Sequence, residues 1–170
     1  MRILVVYSSL TGNTKMIAES VYGKLQSVQK HEVGIFPVES APVSDGYDLI
    51  FSGFWADKGG ADVKTKKYLE KIHNKMVALF FTLGAYPNSE HAENIFTRAK
   101  NSLPLSSPVL GHFKCMGKID PKILEISTKA HGAMTPERAA RIEEAKKHPD
   151  TKDCAEAEKF AEEILKKAAL

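Results

Sequence analysis

Five short apolar runs, separated by longer segments of mixed polarity, dominate the pattern of the chain. They span residues 2–7, 32–38, 48–55, 76–81 and 109–116. Runs of this length that are apolar at nearly every position and rich in β-branched residues are typical of strands buried on both faces of a parallel sheet. The pattern therefore predicts five parallel strands, with the run at 76–81 in the middle of the sheet.

Amphipathic helices are predicted where apolar residues recur three or four positions apart. Three segments show such a face: Ile17, Val21, Leu25 and Val28 in the first, Ala92, Ile95, Phe96, Ala99 and Leu103 in the second, and Ala157, Phe160, Ala161, Ile164, Leu165 and Ala168 in the last. Asp62 can cap a further helix that runs to about His73. Because strands and helices alternate and crossovers are right-handed, the chain predicts an α/β fold. Its doubly wound five-stranded parallel sheet carries helices on both faces, as a three-layer sandwich.

Residues 118–150 interrupt this alternation before the last helix. The segment carries three prolines among lysines, and Thr135 followed by Pro136 marks the start of one short helix. A length of 170 residues fits one domain. We therefore expect a single domain over residues 1–170 with an insertion at about 118–150, which either shapes a partner or substrate surface or is a tolerated surface segment.

Composition narrows the class of protein. Apolar residues make up 43% and charged residues 26%, which fits a folded globular chain better than a disordered or membrane-spanning one. The apolar run at residues 3–6 is too short for the core of a signal peptide, so we expect a cytoplasmic protein without membrane association. The formal charge of +3 comes mostly from lysines scattered along helices without interleaved aromatics, which argues against nucleic acid as a partner.

The spacing of cysteines and histidines indicates neither a catalytic nor a metal centre. Cys115 and Cys154 are far apart, the six histidines form no H-E-x-x-H pattern, and no G-x-S-x-G turn follows a strand. We expect reduced thiols, no metal and no catalytic side chain. His112 and Cys115 are interpreted as ordinary residues of the fifth strand.

The strongest chemical signal is the polar turn between the first strand and the first helix. It consists of Ser9, Leu10, Thr11, Gly12, Asn13 and Thr14. Free backbone N–H groups and the helix dipole attract a phosphate at such a helix start, and the hydroxyls add donors. The turn matches neither the triphosphate loop nor the dinucleotide fingerprint. The alternative interpretation is a helix cap rich in serine and threonine.

Two further loops leave the same edge of the predicted sheet, where ligands of doubly wound folds bind. Residues 53–62 combine aromatics with glycines, and residues 82–89 carry a tyrosine. Aromatic rings can stack on a flat heterocycle, while glycines let the backbone approach its edge. The candidates in these loops are Phe54, Trp55, Ala56, Asp57, Gly59, Gly60, Leu83, Gly84, Ala85 and Tyr86. Alternatively, Trp55 fills the core, and the loop with Tyr86 only caps the next helix through Asn88 or Ser89.

The turn at residues 9–14 matches the [ST]-x-T-G-x-T phosphate loop of flavodoxins, and the order of strands and loops resembles that family over nearly the whole chain. The resemblance implies FMN as cofactor. Its phosphate would be held by Ser9, Thr11, Gly12, Asn13 and Thr14. By the same resemblance, Trp55 would flank the flavin ring, and Tyr86 is a candidate for its other side.

The resemblance further implies a low-potential electron carrier. It would exchange electrons with a redox partner protein, which is a reductase, an acceptor enzyme or both, and it would be a monomer or a weak dimer. An FMN-dependent NAD(P)H or quinone-type oxidoreductase is the alternative. A binding module without flavin is a third. Steady-state oxidation of NAD(P)H with a small acceptor separates a reductase from a carrier.

Two features depart from the family pattern. Flavodoxins often have glycine and aspartate after the ring-flanking tryptophan, whereas this chain has Ala56 before Asp57. A side chain there penalises a positive φ, so we expect weaker stabilisation of the half-reduced flavin, unless Gly59 and Gly60 take over that role. The charge of +3 also differs from the acidity usual for carriers, so the partner surface would be acidic or mainly apolar.

Overall fold

The computed structural model of the chain describes residues 1–28 and 30–169. Its strands are β1 (Arg2–Tyr7), β2 (Glu32–Pro37), β3 (Leu49–Asp57), β4 (Gly60–Ala61), β5 (Met76–Leu83) and β6 (Val109–Met116). Five of them run parallel in the order β2-β1-β3-β5-β6, and the short β4 pairs antiparallel with the end of β3. The predicted doubly wound parallel sheet is confirmed, but its middle strand is β3 rather than the run at 76–81, which forms β5 beside the edge strand β6.

Helices cover both faces of this sheet. They are α1 (Asn13–Ser27), α2 (Val63–Leu69), α3 (Glu90–Lys100), α4 (Pro121–His131), α5 (Pro136–Ala145) and α6 (Thr151–Ala168), with one-turn 3-10 helices at Val38–Ser40 and Ser44–Gly46. α1 and α6 pack on one face, and α2 and α3 pack on the other. Across the described part of the chain, no helix has the length and apolarity that crossing a bilayer requires.

The interior strand β1 shows why the strands lack an alternating polar face. Ile3 and Val5 belong to the core under α1 and α6, whereas Leu4 and Val6 belong to the core under α2 and α3. All four side chains are buried. Since successive side chains of a strand point to opposite faces, a strand covered on both sides must be apolar at every position.

The loop expected at residues 53–62 is instead a β-hairpin. β3 continues to Asp57, and β4 folds back so that Ala56 pairs with Ala61 and Asp57 with Gly60. The two turn residues, Lys58 and Gly59, have φ angles of 49° and 78°. Positive φ at both central positions is the geometry of the tightest hairpin turns, and it directs the chain straight back along β3.

Other boundaries also differ from the prediction. α2 ends at Leu69 rather than near His73, and Asn74 in the following turn has a left-handed φ of 56°. The predicted insertion at residues 118–150 contains two helices, since α4 precedes the expected α5. The start of α4 was encoded locally: Pro121 occupies its first turn, and the Asp120 carboxylate accepts hydrogen bonds from the N–H groups of Lys122 and Ile123.

Candidate binding site at the carboxyl edge of the sheet

The carboxyl ends of β1, β3 and β5 lie side by side. In the sheet register Tyr7 is opposite Gly53, and Trp55 is opposite Thr82. The N–H of Ser8 continues the ladder by donating to the Gly53 carbonyl at 2.9 Å. The turn after β1, the hairpin after β3 and the loop after β5 therefore leave one edge, where doubly wound sheets bind their ligands.

The turn after β1, residues 8–12, leads directly into α1. It is called the first loop below. Gly12 is the N-cap of α1 with a φ of 92°, and it provides no side-chain cap. Instead, the Ser9 hydroxyl oxygen accepts the N–H groups of Gly12 at 3.1 Å and Lys15 at 3.2 Å. This oxygen bends the loop back over the first turn of α1.

Several backbone donors at this helix start have no protein acceptor. Within the described residues, these are the N–H groups of Leu10, Thr11, Asn13 and Thr14. Unpaired N–H groups at the positive end of a helix dipole are the elements of an anion site. The Ser9 hydroxyl accepts two bonds here, so its own proton is available to a further acceptor. The arrangement fits a phosphate group.

The side chains of Asn13 and Thr14 hold the loop in place. Thr14 is buried, and its hydroxyl lies 2.9 Å from that of Thr82 in β5. The Asn13 side-chain amide donates to the Lys118 carbonyl at 2.8 Å. Both side chains are thus engaged within the protein, and their backbone N–H groups are available to a ligand.

The adjacent aromatics Phe54 and Trp55 near the end of β3 differ in burial. Phe54 is fully buried and stacks on Phe81, with ring centroids 4.9 Å apart and an interplanar angle of 8°. The expectation that Phe54 lines a ligand site is therefore corrected, because alternation along β3 points its ring into the core. Trp55 points to the opposite face and is half-buried.

The hairpin holds the candidate residues Ala56, Asp57, Gly59 and Gly60. Ala56 and Asp57 lie in the antiparallel ladder, so their peptides are held in extended conformation. The Gly59 carbonyl accepts a hydrogen bond of 3.4 Å from Arg98 of α3. The hairpin is therefore held toward α3.

The loop after β5 is shorter than predicted, because Thr82 and Leu83 belong to the strand. Leu83 is buried in the core and offers no side-chain surface to a ligand. Ile119 covers Gly84, since a Cβ there would lie 2.5 Å from Ile119 Cγ1. Ala85 packs on the core under α3. Tyr86 is the exposed aromatic of this loop, with 48% of its surface accessible.

A cavity of about 490 Å³ lies between this loop and the segment after β6. Its lining residues are Tyr86, Pro87, Met116, Ala140, Glu144, His148 and Asp153. On one wall, the His148 ring lies between two carboxylates, with Nδ1 2.5 Å from Asp153 and Nε2 3.3 Å from Glu144. The hydrogen bond to Asp153 raises the pKa of His148. Sequence reasoning missed this group, because no pattern links positions 144, 148 and 153 across a helix end.

His148, Asp150 and Asp153 have ligand atoms within 4.8 Å of one another, the spacing that a metal ion would need. Their bonds explain this proximity without an ion. Asp150 and Asp153 form a reciprocal capping box at the start of α6, and Asp153 also accepts the His148 ring N–H. We therefore interpret the cluster as a helix cap.

His112 and Cys115 lie in β6, as expected for strand residues. The His112 ring stacks on Phe96 with centroids 3.8 Å apart, and burial lowers its pKa. Cys115 is 2% exposed within the core under α1 and α6, and burial raises the pKa of its thiol. Both side chains therefore serve packing.

A model of the flavodoxin domain matches residues 4–162 of the chain. The chain belongs to the flavodoxin family. It is 35% identical over 176 residues to the flavodoxin-like domain-containing protein BilS of Clostridioides difficile strain CD3, covering 100% of this chain and 99% of the relative. It is 30% identical over 178 residues to the BilS protein of Clostridium symbiosum strain WAL-14163, covering 94% of each.

Solved flavodoxin structures have a similar fold. Oxidised flavodoxin 2 from Bacillus cereus matches with a TM-score of 0.62 at 21% identity, covering 98% of this chain and 99% of that one. At this identity the likeness concerns the fold. The likeness covers nearly the whole length of both chains, so it concerns the complete order of strands and helices described above.

Proposed function

We propose that the chain binds FMN at the carboxyl edge of the sheet and carries electrons between redox partner proteins. The observation that carries the proposal is that the N–H groups of Leu10, Thr11, Asn13 and Thr14, directly after β1, have no acceptor within residues 1–28 and 30–169. Four such donors at a helix start suit a phosphate dianion. The Ser9 hydroxyl would add a donor of its own.

The flavin ring would lie beyond the strand ends, between Trp55 and Tyr86. Trp55 is half-buried near the end of β3, and Tyr86 exposes 48% of its surface in the neighbouring loop. Both rings can stack on a flat heterocycle. Phe54 and Leu83 have no part in this proposal, because both are core residues.

An electron carrier requires only that the protein bind and orient the cofactor. FMN supplies the redox chemistry when bound, while the protein tunes it through stacking and hydrogen bonds. This role needs no acid or base beside the first loop. The net charge of +3 favours a partner with an acidic or mainly apolar contact surface.

The first test is a titration of the purified protein with FMN and, separately, with riboflavin, followed by fluorescence. We expect FMN to bind and riboflavin to bind much more weakly, because riboflavin lacks the phosphate. Gly12→Ala forces a side chain into a φ of 92° and should weaken FMN binding about tenfold. Gly23→Ala, in an open position of α1, is the matched control and should not.

Failure of the wild-type protein to bind FMN would contradict the proposal and would favour a binding module without flavin. Equal affinities for FMN and riboflavin would also contradict it, since the unpaired N–H groups would then have no role in binding.

The cavity beside Tyr86 favours a second candidate, an FMN-dependent oxidoreductase with a small substrate. Its volume of about 490 Å³ is sufficient for a small aromatic acceptor, and Met116 and Pro87 provide apolar contacts. The two carboxylates of Glu144 and Asp153 on the cavity wall give it a net negative charge even when His148 is protonated. This charge disfavours a phosphorylated donor such as NAD(P)H inside the cavity.

Steady-state oxidation of NAD(P)H by the FMN-loaded protein, with a quinone as acceptor, separates the two candidates. A carrier should show negligible turnover without a reductase. Turnover that falls in Ala140→Trp, which narrows the cavity, would establish the oxidoreductase instead. Ala155→Trp, at an exposed position of α6 that does not line the cavity, is the control for the added bulk.

A further inference from the structure

Asp62 is a buried carboxylate at the start of α2, with 3% of its surface exposed. Its side chain caps the helix by accepting the N–H groups of Lys64 at 3.1 Å and Thr65 at 3.2 Å. The Thr65 hydroxyl donates to its second oxygen at 2.8 Å. These bonds satisfy the helix start.

The same carboxylate is also bonded to the first loop. The Ser8 hydroxyl donates to Asp62 Oδ1 at 2.9 Å, across 54 positions of sequence. Ser8 is 5% exposed, and its N–H donates to the Gly53 carbonyl. Main chain and side chain of Ser8 are therefore both anchored, immediately before Ser9.

Helix capping alone does not explain the burial of this charge. Asp150 caps α6 with an equivalent pair of hydrogen bonds while it stays exposed. Among the described residues no cation forms an ion pair with Asp62, and the neighbouring Lys64 pairs with Glu39 instead. A buried carboxylate costs free energy unless every oxygen is bonded, and its charge also disfavours a nearby anion. The bond from Ser8 is the feature that distinguishes Asp62 from the exposed cap Asp150.

We propose that Asp62 is a positioning residue for phosphate binding: through Ser8 it holds the first loop in the geometry that presents the unpaired N–H groups of residues 10–14. The inference rests on the proposed FMN site. A loop that is already ordered loses less conformational entropy when it binds, so the anchor strengthens binding of the phosphate group without touching it.

The test compares two variants that each remove one hydroxyl from the same carboxylate. Ser8→Ala breaks the bond to the first loop, whereas Thr65→Ala, the matched control, breaks a bond within α2. The measured quantity is the ratio of the FMN and riboflavin dissociation constants, because only FMN carries the phosphate. Ser8→Ala should weaken FMN binding about three- to tenfold and change riboflavin binding less than about twofold. Thr65→Ala should leave the ratio unchanged.

Two substitutions of Asp62 itself complete the experiment. Asp62→Asn keeps an oxygen that accepts from Ser8 and should retain the wild-type ratio. Asp62→Ala should lower the selectivity for FMN as Ser8→Ala does, and the double variant Ser8→Ala/Asp62→Ala should be no worse than Asp62→Ala alone.

An FMN to riboflavin ratio that stays at the wild-type value in both Ser8→Ala and Asp62→Ala overturns the positioning role while leaving the FMN site intact. A ratio that falls equally in Thr65→Ala also overturns it, since the effect would then be one of general stability. If the wild-type protein itself binds no FMN, the proposed function and this inference fail together.

Discussion

The Thr14 hydroxyl lies 2.9 Å from the Thr82 hydroxyl, and this pair joins the first turn of α1 to the carboxyl end of β5. Both side chains are almost completely buried, with 0% and 3% of their surfaces exposed. One hydroxyl donates to the other, so each buried oxygen has a hydrogen-bond partner. The pair fixes the first loop relative to the loop that carries Tyr86, so the two sides of the proposed flavin site move together.

Replacing one member of this pair should destabilise the fold. Thr14→Val leaves the buried Thr82 hydroxyl without its partner, at a cost of about 1–3 kcal/mol in the free energy of unfolding. The double variant Thr14→Val/Thr82→Val removes both polar groups and should cost less than the sum of the single variants. Urea denaturation of the four proteins measures the coupling, and strictly additive costs would argue against the bond.

A second prediction concerns the hairpin turn. Gly59→Ala places a side chain at a φ of 78° and should lower the free energy of unfolding by about 1–2 kcal/mol. The new Cβ would lie 3.0 Å from Arg98 Nη1. Because that atom is the mobile end of a long side chain and can move away, most of the destabilisation should come from backbone strain.

Gly23→Ala is the matched control for that variant. Gly23 lies inside α1, and no atom lies within 4 Å of an added Cβ. The substitution should stabilise the protein by about 0.5–1 kcal/mol, since alanine favours the helix. Opposite signs for the two glycines in the same urea assay support the hairpin geometry, and equal effects contradict it.

Gly84 is expected to be required by its neighbour Ile119. In Gly84→Ala the new Cβ would lie 2.5 Å from Ile119 Cγ1, so Ile119 must shift, at a cost of about 1–3 kcal/mol. Ile119→Ala removes the obstructing atoms and should partly restore stability in the double variant. Thermal unfolding measures both effects, and a double variant less stable than either single one would refute this packing.

The strands were predictable because burial on both faces requires continuous apolar runs. Thr82 shows the limit of that pattern. A polar threonine after an apolar run was assigned to a loop. Its backbone is instead paired in β5 with Trp55 and Cys115, and its buried hydroxyl is satisfied by Thr14, 68 positions away. The residues around Thr82 in the sequence give no indication of a partner so far away.

The sequence predicted the hydrogen-bond donors of the candidate site, but not the distant residues that hold those donors in place. The helix start at residues 9–14 follows from local chemistry, whereas the bond from Ser8 to Asp62 depends on how β1 and α2 are brought together. Phe54 could have been assigned to the core from the sequence, since two adjacent strand residues must point to opposite faces. The group around His148 could not, because three elements contribute to it.

The ion pairs of His148 should make stability depend on pH. The largest cause of its raised pKa is the hydrogen bond to Asp153, and Glu144 contributes in the same direction. Glu144 also pairs with Lys147, and the Asp150 carboxylate lies nearby. Because the folded-state pKa lies above the unfolded value of about 6.5, this contribution is fully present below about pH 6.5 and is lost as pH rises through the folded pKa.

The wild-type protein should therefore exceed His148→Gln in free energy of unfolding by more at about pH 6 than at about pH 9, because this contribution is lost as the pH rises through the folded-state pKa. His112→Gln is the matched comparison, because burial lowers the pKa of His112 and the sign reverses. Protonation of His112 is disfavoured by folding, so its advantage over glutamine should grow as the pH rises. Urea denaturation at both pH values measures the two differences. The same pH trend in both variants would show that it arises from the rest of the protein rather than from the carboxylates around His148.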